Sequence, residues 1–270
     1  MKIAVLVKQV PDMDRVKFDR EKGVIDRNSA GVTLNPFDLN ALEAALVIKE
    51  QTGASVVAVS MGPPRAEEAL QEAIARGADE AYLLTDRAFG GADVKATSKT
   101  LAAAIKKTGD VDLILAGLQS VDGDTGQVGA EVAQYLGMPG VCSVLKVLGC
   151  NDKSVQVVVD MWDEQYVKDC AYPVLLTVTK EANVPRLPSF KDKMRARKAE
   201  ITQWHLADLE AFVSAEELGI KGSPTVVRKI EIPPHHERKG KVYRDALEDA
   251  LLEFRTVLRN SKVLESEASV

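Results

Sequence analysis

Aromatic residues are scarce in this sequence: Phe, Trp and Tyr together make up 5% of its 270 residues. Alanine, valine and leucine must therefore supply most of the packing, and this composition favours a parallel sheet covered by helices over an all-β sandwich. The hydrophobic fraction of 46% and the charged fraction of 28% are typical of a globular protein with a substantial core.

Cysteine, histidine and excess positive charge are also lacking. The three cysteines, Cys142, Cys150 and Cys170, form no Cys-x-x-Cys pair, so we expect reduced structural thiols. No histidine has an acidic or cysteine partner at ligand spacing, including the pair His235 and His236, and no metal site is expected. A formal net charge of -5 argues against nucleic acid as a partner.

Long hydrophobic runs are missing as well. No apolar segment of the sequence is long enough to span a bilayer. Because strand-like residues begin at Ile3, we expect no signal or transit peptide. The sequence thus predicts a cytoplasmic protein without a membrane partner.

Short apolar strands alternate with helical patterns through the first half of the chain. Strands are predicted at 3–7, 55–60, 81–84 and 111–116, and helices from Asn35-Pro36-Phe37-Asp38 to about 52, from after Pro64 to about 76, over about 94–108 and from a glycine-rich loop to about 137. Asp38 and Asp93 are the expected helix caps. This alternation is typical of a doubly wound parallel sheet, a Rossmann-like α/β fold whose ligands bind at the carboxyl ends of the strands.

The remainder of the chain follows other patterns. Residues 8–27 are polar and predict a long loop or hairpin. Strands at 144–148, 155–161 and 174–178 are expected to extend the sheet in an antiparallel manner. We expect a nucleotide-binding domain over 1–200 and an extended C-terminal arm over 201–270, ending in an amphipathic helix at about 241–258 that packs on a partner subunit or, alternatively, on its own domain.

The glycine-rich segment Val121-Asp-Gly-Asp-Thr-Gly-Gln-Val-Gly-Ala-Glu-Val132 follows a strand and opens a helix. Unpaired N–H groups and the helix dipole make such a position an anion site. Gly126 and Gly129 would let a phosphate approach, and Thr125 and Gln127 can donate hydrogen bonds. Asp122 and Asp124 have the wrong charge for phosphate and are expected to orient the loop, cap the helix or meet a ribose hydroxyl.

This segment matches neither the P-loop nor the Gly-x-Gly-x-x-Gly fingerprint, so a merely tight strand-to-helix turn is the alternative. The other predicted strand ends are open to similar alternatives. Asn35 could face a base or ribose or simply begin a helix, Met61-Gly62 could be a bare turn, and Phe89-Gly-Gly-Ala-Asp93 could be a surface loop.

A basic segment at 191–198 follows Phe190. Most charge runs are solvated faces, but an exposed apolar residue beside basic groups can anchor an acidic partner. Both interpretations remain open from the residues alone.

The order of these motifs resembles the small (beta) subunit of electron-transfer flavoproteins. The resemblance lies in Val7–Asp12, Asn35–Asp38, Met61–Pro64, Asp86–Asp93 and Val121–Gly129, and it continues through Pro185-Arg186 and Lys193–Lys198 to Gly222–Thr225. It covers about residues 1–230. One departure is Met13, where relatives usually have threonine after Pro-Asp.

The resemblance implies a heterodimer with a larger, FAD-binding alpha subunit, and a second adenine nucleotide, FAD or AMP, bound by this chain. Together with the strand-end motifs it gives these cofactor contacts: Leu6, Val7, Lys8, Asn35, Pro36, Phe37, Asp38, Met61, Gly62, Phe89, Gly90, Gly91, Ala92, Asp93, Thr97, Asp122, Gly123, Asp124, Thr125, Gly126, Gln127, Val128 and Gly129, with the family's contacts continuing to Ala133.

It also implies a recognition loop at about 186–198 that docks on a flavin-dependent dehydrogenase of the acyl-CoA type. The partner contacts expected there are Phe190, Lys191, Lys193, Met194, Arg195 and Arg197.

Within the family, residues 86–93 and Asp122–Asp124 resemble the electron-bifurcating branch. That branch implies FAD reduced by NADH, with one electron passing to a dehydrogenase and the other to ferredoxin or flavodoxin. The reactive end of the cofactor is then expected near Val10–Asp14 and Phe89–Asp93. A non-bifurcating carrier with structural AMP and a stand-alone nucleotide-binding domain of the stress-protein type are the alternatives.

Overall fold

The computed structural model describes residues 1–12, 17–19, 24–26, 31–226, 240, 242 and 247–261. It forms two compact units, Met1–Val226 and Val227–Val270. The expectations for Met13, Asp14, His235, His236 and the start of the final helix lie outside the described residues.

Strands and helices alternate through the described residues. The strands are β1 (Lys2–Leu6), β2 (Gln9–Pro11), β3 (Lys17–Asp19), β4 (Val24–Asp26), β5 (Val32–Leu34), β6 (Ser55–Met61), β7 (Glu80–Leu84), β8 (Leu113–Gly117), β9 (Gly140–Cys150), β10 (Ser154–Met161), β11 (Glu164–Ala171), β12 (Val174–Val178) and β13 (Thr202–Trp204). The helices are α1 (Pro36–Thr52), α2 (Glu67–Arg76), α3 (Val94–Thr108), α4 (Val128–Leu136), α5 (Phe190–Ala196), α6 (Leu206–Leu209), α7 (Gly219–Gly222) and α8 (Leu247–Asn260).

Nine strands form the main sheet, in the order β11-β10-β9-β12-β8-β1-β6-β7-β13. Strand β1 pairs in parallel with both β6 and β8. The chain first builds outward from β1 through β6 and β7, and then returns to the other side of β1 with β8. This reversal is the topological switch point of a doubly wound sheet, and the predicted fold class is confirmed.

Two hydrophobic clusters cover the faces of this sheet. Ile3 packs in the cluster that contains residues of α1 and α2, whereas its neighbour Ala4 packs with residues of α3 and α4. Because successive side chains of a strand point to opposite faces, a strand covered on both sides must be apolar at every position. This requirement explains the uninterrupted apolar run at 3–7.

The second half of the sheet differs from the expectation in one strand. Strands β9 and β10 are antiparallel neighbours, as predicted for the extension, and the unpredicted strand β11 pairs antiparallel with β10. The prediction that Val174–Val178 is antiparallel was wrong: β12 lies between β8 and β9 and is parallel to both. All five of its residues are buried, as expected of an interior strand.

Other elements appear where the sequence pattern was weak. The polar stretch 8–27 contributes to two small antiparallel pairs, β2 with β5 and β3 with β4, which confirms the hairpin interpretation. Strand β13 follows the domain boundary expected at residue 200 and joins the main sheet beside β7. None of the helices in the described ranges is both long and apolar enough to cross a membrane.

Gly129 fixes how closely α4 packs on the sheet. A Cβ atom at this position would lie far inside van der Waals contact with Thr177 Cγ2 on β12. The first turn of α4 therefore rests directly on the strand, and a larger residue would have to push it away.

We expect Gly129→Ala to lower the free energy of unfolding by about 1–3 kcal/mol, because an inserted methyl group strains a packed contact. Urea unfolding measures this change. Gly149→Ala is the matched control, since a Cβ there has no atom within 4 Å, and it should change stability by less than about 1 kcal/mol. Equal losses in the two variants would contradict this account.

Candidate functional site

The carboxyl ends of β1 and β8 meet at the switch point. Leu6 pairs with Ala116 in the sheet register, so Val7 and Lys8 lie beside the segment that begins at Gly117. Ligands of doubly wound sheets bind in the crevice at this position. The structure therefore brings the predicted residues 6–8 and 122–129 to one edge of the sheet.

Asn35 joins the start of α1 to this edge and is fully buried. Its Nδ2 donates to Gln119 O and to Asp38 Oδ1, both at 2.9 Å, and its Oδ1 accepts from Val121 N at 3.2 Å. The amide that was expected to face a base or ribose is thus engaged with the loop after β8.

Asp38 makes the corresponding contacts to the two strand ends. Its Oδ2 accepts from Lys8 N at 2.8 Å and its Oδ1 from Gly117 N at 3.2 Å. The prediction that Asp38 caps α1 was wrong: Pro36 is the first helical residue, so Asn35 occupies the cap position and Asp38 lies in the first turn. A Cβ on Gly117 would come within 2.6 Å of Phe37 Cβ, so this close approach requires glycine.

The environment of Asp38 shifts its ionisation. Burial raises the pKa of Asp38 from 3.8 to about 7, although hydrogen bonds from Asn35, Lys8 and Gly117 and the charge of Lys8 act to lower it. The folded protein therefore keeps the proton on this carboxyl group up to near neutral pH, while its two oxygens accept the backbone N–H groups of both strand ends.

The glycine-rich loop presents free donors next to these strand ends. Within the described part of the chain, the backbone N–H groups of Thr125 to Ala130 have no hydrogen-bond acceptor. Asp124 and Gly126 adopt left-handed conformations, with φ of 51° and 63°, and turn the chain into α4. A run of free N–H groups at a helix N-terminus fits a phosphate or pyrophosphate group.

Both aspartates of the loop have partners within the protein. Asp122 forms an ion pair with Lys8, and Asp124 Oδ1 accepts from Gln119 Nε2 at 3.0 Å. Partial burial acts to raise the pKa of Asp122, but the hydrogen bond and charge of Lys8 outweigh it and the pKa is lowered. The carboxylates are therefore held by Lys8 and Gln119.

A second group of predicted residues lines a cavity of about 550 Å³ at the ends of β6, β7 and β13. The lining residues are Met61, Gly62, Pro63, Pro64, Thr85, Asp86, Arg87, Phe89, Gly90, Gln203 and His205. Gln203 and His205 were not predicted to lie here, because nothing in the sequence of a three-residue strand indicates its pairing with β7.

The loop from Asp86 to Asp93 is held by a later segment of the chain. Asp93 caps α3 as predicted, accepting from Ala96 N at 3.1 Å, and its other oxygen accepts from Thr225 N and Oγ1 at 3.1 and 2.8 Å. Gly90 O accepts from Ile220 N at 3.1 Å, and Gly91 is left-handed with φ 69°. Ala92 belongs to the same turn, and Thr97 lies half-buried in the first turn of α3.

The basic segment forms a short helix, which the sequence analysis did not predict. Ser189 caps α5, and Phe190, its first residue, is 81% exposed. Lys191, Lys193, Met194, Arg195 and Arg197 are exposed as well. These exposed residues lie on or next to α5, away from the glycine-rich loop at the end of β8.

The raised pKa of Asp38 predicts a pH dependence of stability. Between about pH 4 and 7 the unfolded chain ionises Asp38 while the folded protein keeps the proton, so the free energy of unfolding falls as pH rises, by up to about 4 kcal/mol. Asp38→Asn removes this pH dependence, so the free energy of unfolding of the variant rises relative to that of the wild type from pH 4 to 8. Urea titrations across this range measure it, with the exposed Asp110→Asn as control. Parallel curves for wild type and Asp38→Asn would refute the assignment.

Comparisons with known proteins agree with this geometry. Residues 22–209 match the electron transfer flavoprotein domain. The electron transfer flavoprotein subunit beta of Clostridium acetobutylicum is 49% identical over 230 residues, which are 85% of this chain and 87% of the relative.

Two further relatives extend the comparison. The caffeyl-CoA reductase-Etf complex subunit CarD of Acetobacterium woodii is 49% identical over 235 residues, 87% of this chain and 88% of the relative. Protein FixA of Sinorhizobium fredii is 37% identical over 257 residues, 93% of this chain and 90% of the relative. Because these matches span most of the chain, it belongs to the electron transfer flavoprotein family, among the beta subunits, and the resemblance of its strand-end motifs is confirmed.

Proposed function

We propose that this chain binds FAD at the carboxyl ends of β1 and β8 and acts as the beta subunit of an electron-bifurcating flavoprotein. A larger FAD-binding alpha subunit completes the heterodimer. NADH is the electron donor, and the acceptors are a flavin-dependent dehydrogenase of the acyl-CoA type and ferredoxin or flavodoxin. The complex works in the cytoplasm.

The free N–H groups of Thr125 to Ala130 carry this proposal. They lie at the switch point, beside the Lys8 ammonium group and at the N-terminus of α4. Fixed backbone donors at a helix N-terminus bind phosphate oxygens without rearrangement. These residues would hold the pyrophosphate of the cofactor, while Asn35 and Asp38 keep the loop in place.

The position of the second cavity supports a dinucleotide over AMP. Met61 is the last residue of β6, which is two strands from β8, and adjacent strands lie about 4.8 Å apart. The cavity is thus roughly 10 Å from the glycine-rich loop across the sheet, and a dinucleotide held at the loop could extend into it. Bound FAD supplies the hydride and one-electron chemistry. The chain's own residues orient it and exclude water around Phe89.

The relatives and the surface residues support the proposed electron-bifurcating complex. The name of CarD places that protein in a caffeyl-CoA reductase-Etf complex. The loop 86–93 and Asp122–Asp124 carry the motif that resembles bifurcating subunits. The exposed Phe190 and the cations of α5 provide a docking surface for the dehydrogenase, and α8 carries apolar residues, including Leu252 and Phe254, suited to packing on the alpha subunit.

Cofactor analysis of the purified heterodimer tests this function. We expect two FAD per heterodimer and loss of flavin absorbance on anaerobic addition of NADH. One FAD with one AMP, and no reaction with NADH, would instead establish the non-bifurcating carrier. A colourless homodimer without a larger subunit would support the stress-type domain.

A substitution locates the second cofactor. We expect Lys8→Gln to weaken its binding about 10-fold or more, because an ammonium group next to the phosphates is lost and Asp122 is left unpaired. Flavin retention during dialysis measures the change. Lys106→Gln, on the exposed side of α3, is the control and should retain both flavins. Wild-type retention by Lys8→Gln would remove Lys8 from the site.

A further inference from the structure

Three large apolar side chains are exposed to solvent on the segment that leads into α5. Val184 is 89% exposed, Leu187 87% and Phe190 81%. We call these three residues the docking strip. Exposed apolar side chains that lie close together often mark a protein–protein contact, and their positions depend on what holds the backbone beneath them.

The contacts that hold this segment are polar and lie on α1. Glu43 is only 8% exposed. The Arg186 guanidinium forks onto its carboxylate, with Nε to Oε2 and Nη2 to Oε1 both at 2.9 Å. The backbone N–H of Arg186 also donates to Glu43 Oε2 at 2.9 Å. One buried carboxylate therefore fixes both the side chain and the main chain of Arg186.

Further bonds fasten the same segment. Arg186 Nη1 reaches Glu50 Oε1 at 2.5 Å, and Arg186 O accepts from Arg76 on α2. Asn40 Nδ2 donates to Asn183 O at 2.7 Å, and Asn183 Nδ2 returns a bond to Asn40 O at 2.9 Å. The backbone that carries the docking strip is thus hydrogen-bonded to α1 at residues 183 and 186.

The energetics single out Glu43 among these groups. A carboxylate this deeply buried is unfavourable unless it is paired, and a forked arginine contact is the geometry that compensates best. The Glu50 contact, in contrast, lies at the surface, where ion pairs contribute little. Loss of the Glu43 charge would free Arg186 from this contact, and the docking strip would then no longer be held in one orientation.

We propose that Glu43, acting through Arg186, is a positioning residue that presents the docking strip to a partner protein. The partner surface that fits is an apolar pocket rimmed by acidic groups, because the exposed cations Lys191, Lys193 and Arg195 follow Phe190 on α5. A strip already ordered in the free protein loses less conformational entropy on docking. This inference rests on the proposed docking of segment 186–198 onto a dehydrogenase.

Glu43 is separate from the nucleotide site. It follows Asp38 by five residues on α1, about 7.5 Å along the helix axis. Its carboxylate faces Arg186 and makes no contact with the glycine-rich loop within the described residues. Flavin content and reduction by NADH therefore report whether a substitution at Glu43 has disturbed anything besides docking.

A double-mutant cycle on the complete heterodimer tests the proposal. We expect Glu43→Gln and Phe190→Ala each to raise the KM for the dehydrogenase about 10-fold, with kcat, flavin content and reduction by NADH unchanged. The double variant should be within about twofold of Phe190→Ala alone, because Glu43 acts through the strip. Glu217→Gln, which breaks an ion pair with Lys99 on the α3 side, is the control and should keep the wild-type KM.

The possible failures are distinguishable. A wild-type KM for Phe190→Ala would overturn the docking surface itself. A raised KM for Phe190→Ala with a wild-type KM for Glu43→Gln, or strictly multiplicative effects in the double variant, would overturn the role of Glu43 alone.

A second variant covers the case in which Glu43→Gln does not fold. Arg186→Lys keeps the charge but loses the forked contact, and Arg186 lies nearer the surface. We expect it to raise the KM for the dehydrogenase without changing the melting temperature by more than a few degrees. A wild-type KM for this variant would also refute the proposal.

Discussion

The close approach of α1 to the ends of β1 and β8 is the contact on which the candidate site depends. Asp38 accepts backbone N–H groups from both strands, and Asn35 holds the loop that follows β8. This approach is possible only because Gly117 has no side chain. Backbone N–H groups at strand ends need acceptors, and the Asp38 carboxylate takes the place of the carbonyl groups that a longer sheet would provide. It thereby stops the sheet and opens the crevice at the same point.

The same helix also carries the docking segment. Buried polar residues recur from the cap residue Asn35 through Asp38 and Asn40 to Glu43. Asn35 and Asp38 bind the segment after β8, whereas Asn40 and Glu43 bind residues 180–186. A helix that is held by both apolar packing and polar contacts behaves as a rigid body, with a rise of about 1.5 Å per residue. The spacing between the crevice residue Asp38 and Glu43, which binds the docking segment, is consequently set by this one helix.

The sequence predicted those parts of the fold that local pattern specifies. Uninterrupted apolar runs identified β1, β6, β7 and β8, and Asp93 marked the start of α3. Long-range choices were not accessible. The run at 174–178 indicated burial but not direction, and the parallel pairing of β12 is decided by its place between β8 and β9. Strand β11 was missed because Cys170 is its only buried residue.

The candidate site shows the same division. The glycine-rich loop was recognisable because phosphate contact and tight turning demand glycine, but Gly129 proved to face Thr177 in the packing of α4. The ion pair between Lys8 and Asp122 has no net charge, so attraction for phosphate must come mainly from the fixed N–H groups and the helix dipole. Dipoles that are already oriented bind by geometry more than by charge, because the donors need no rearrangement on binding. The proposed phosphate site and the proposed docking surface therefore use different groups: fixed backbone N–H donors at the crevice, and exposed lysine and arginine side chains after Phe190.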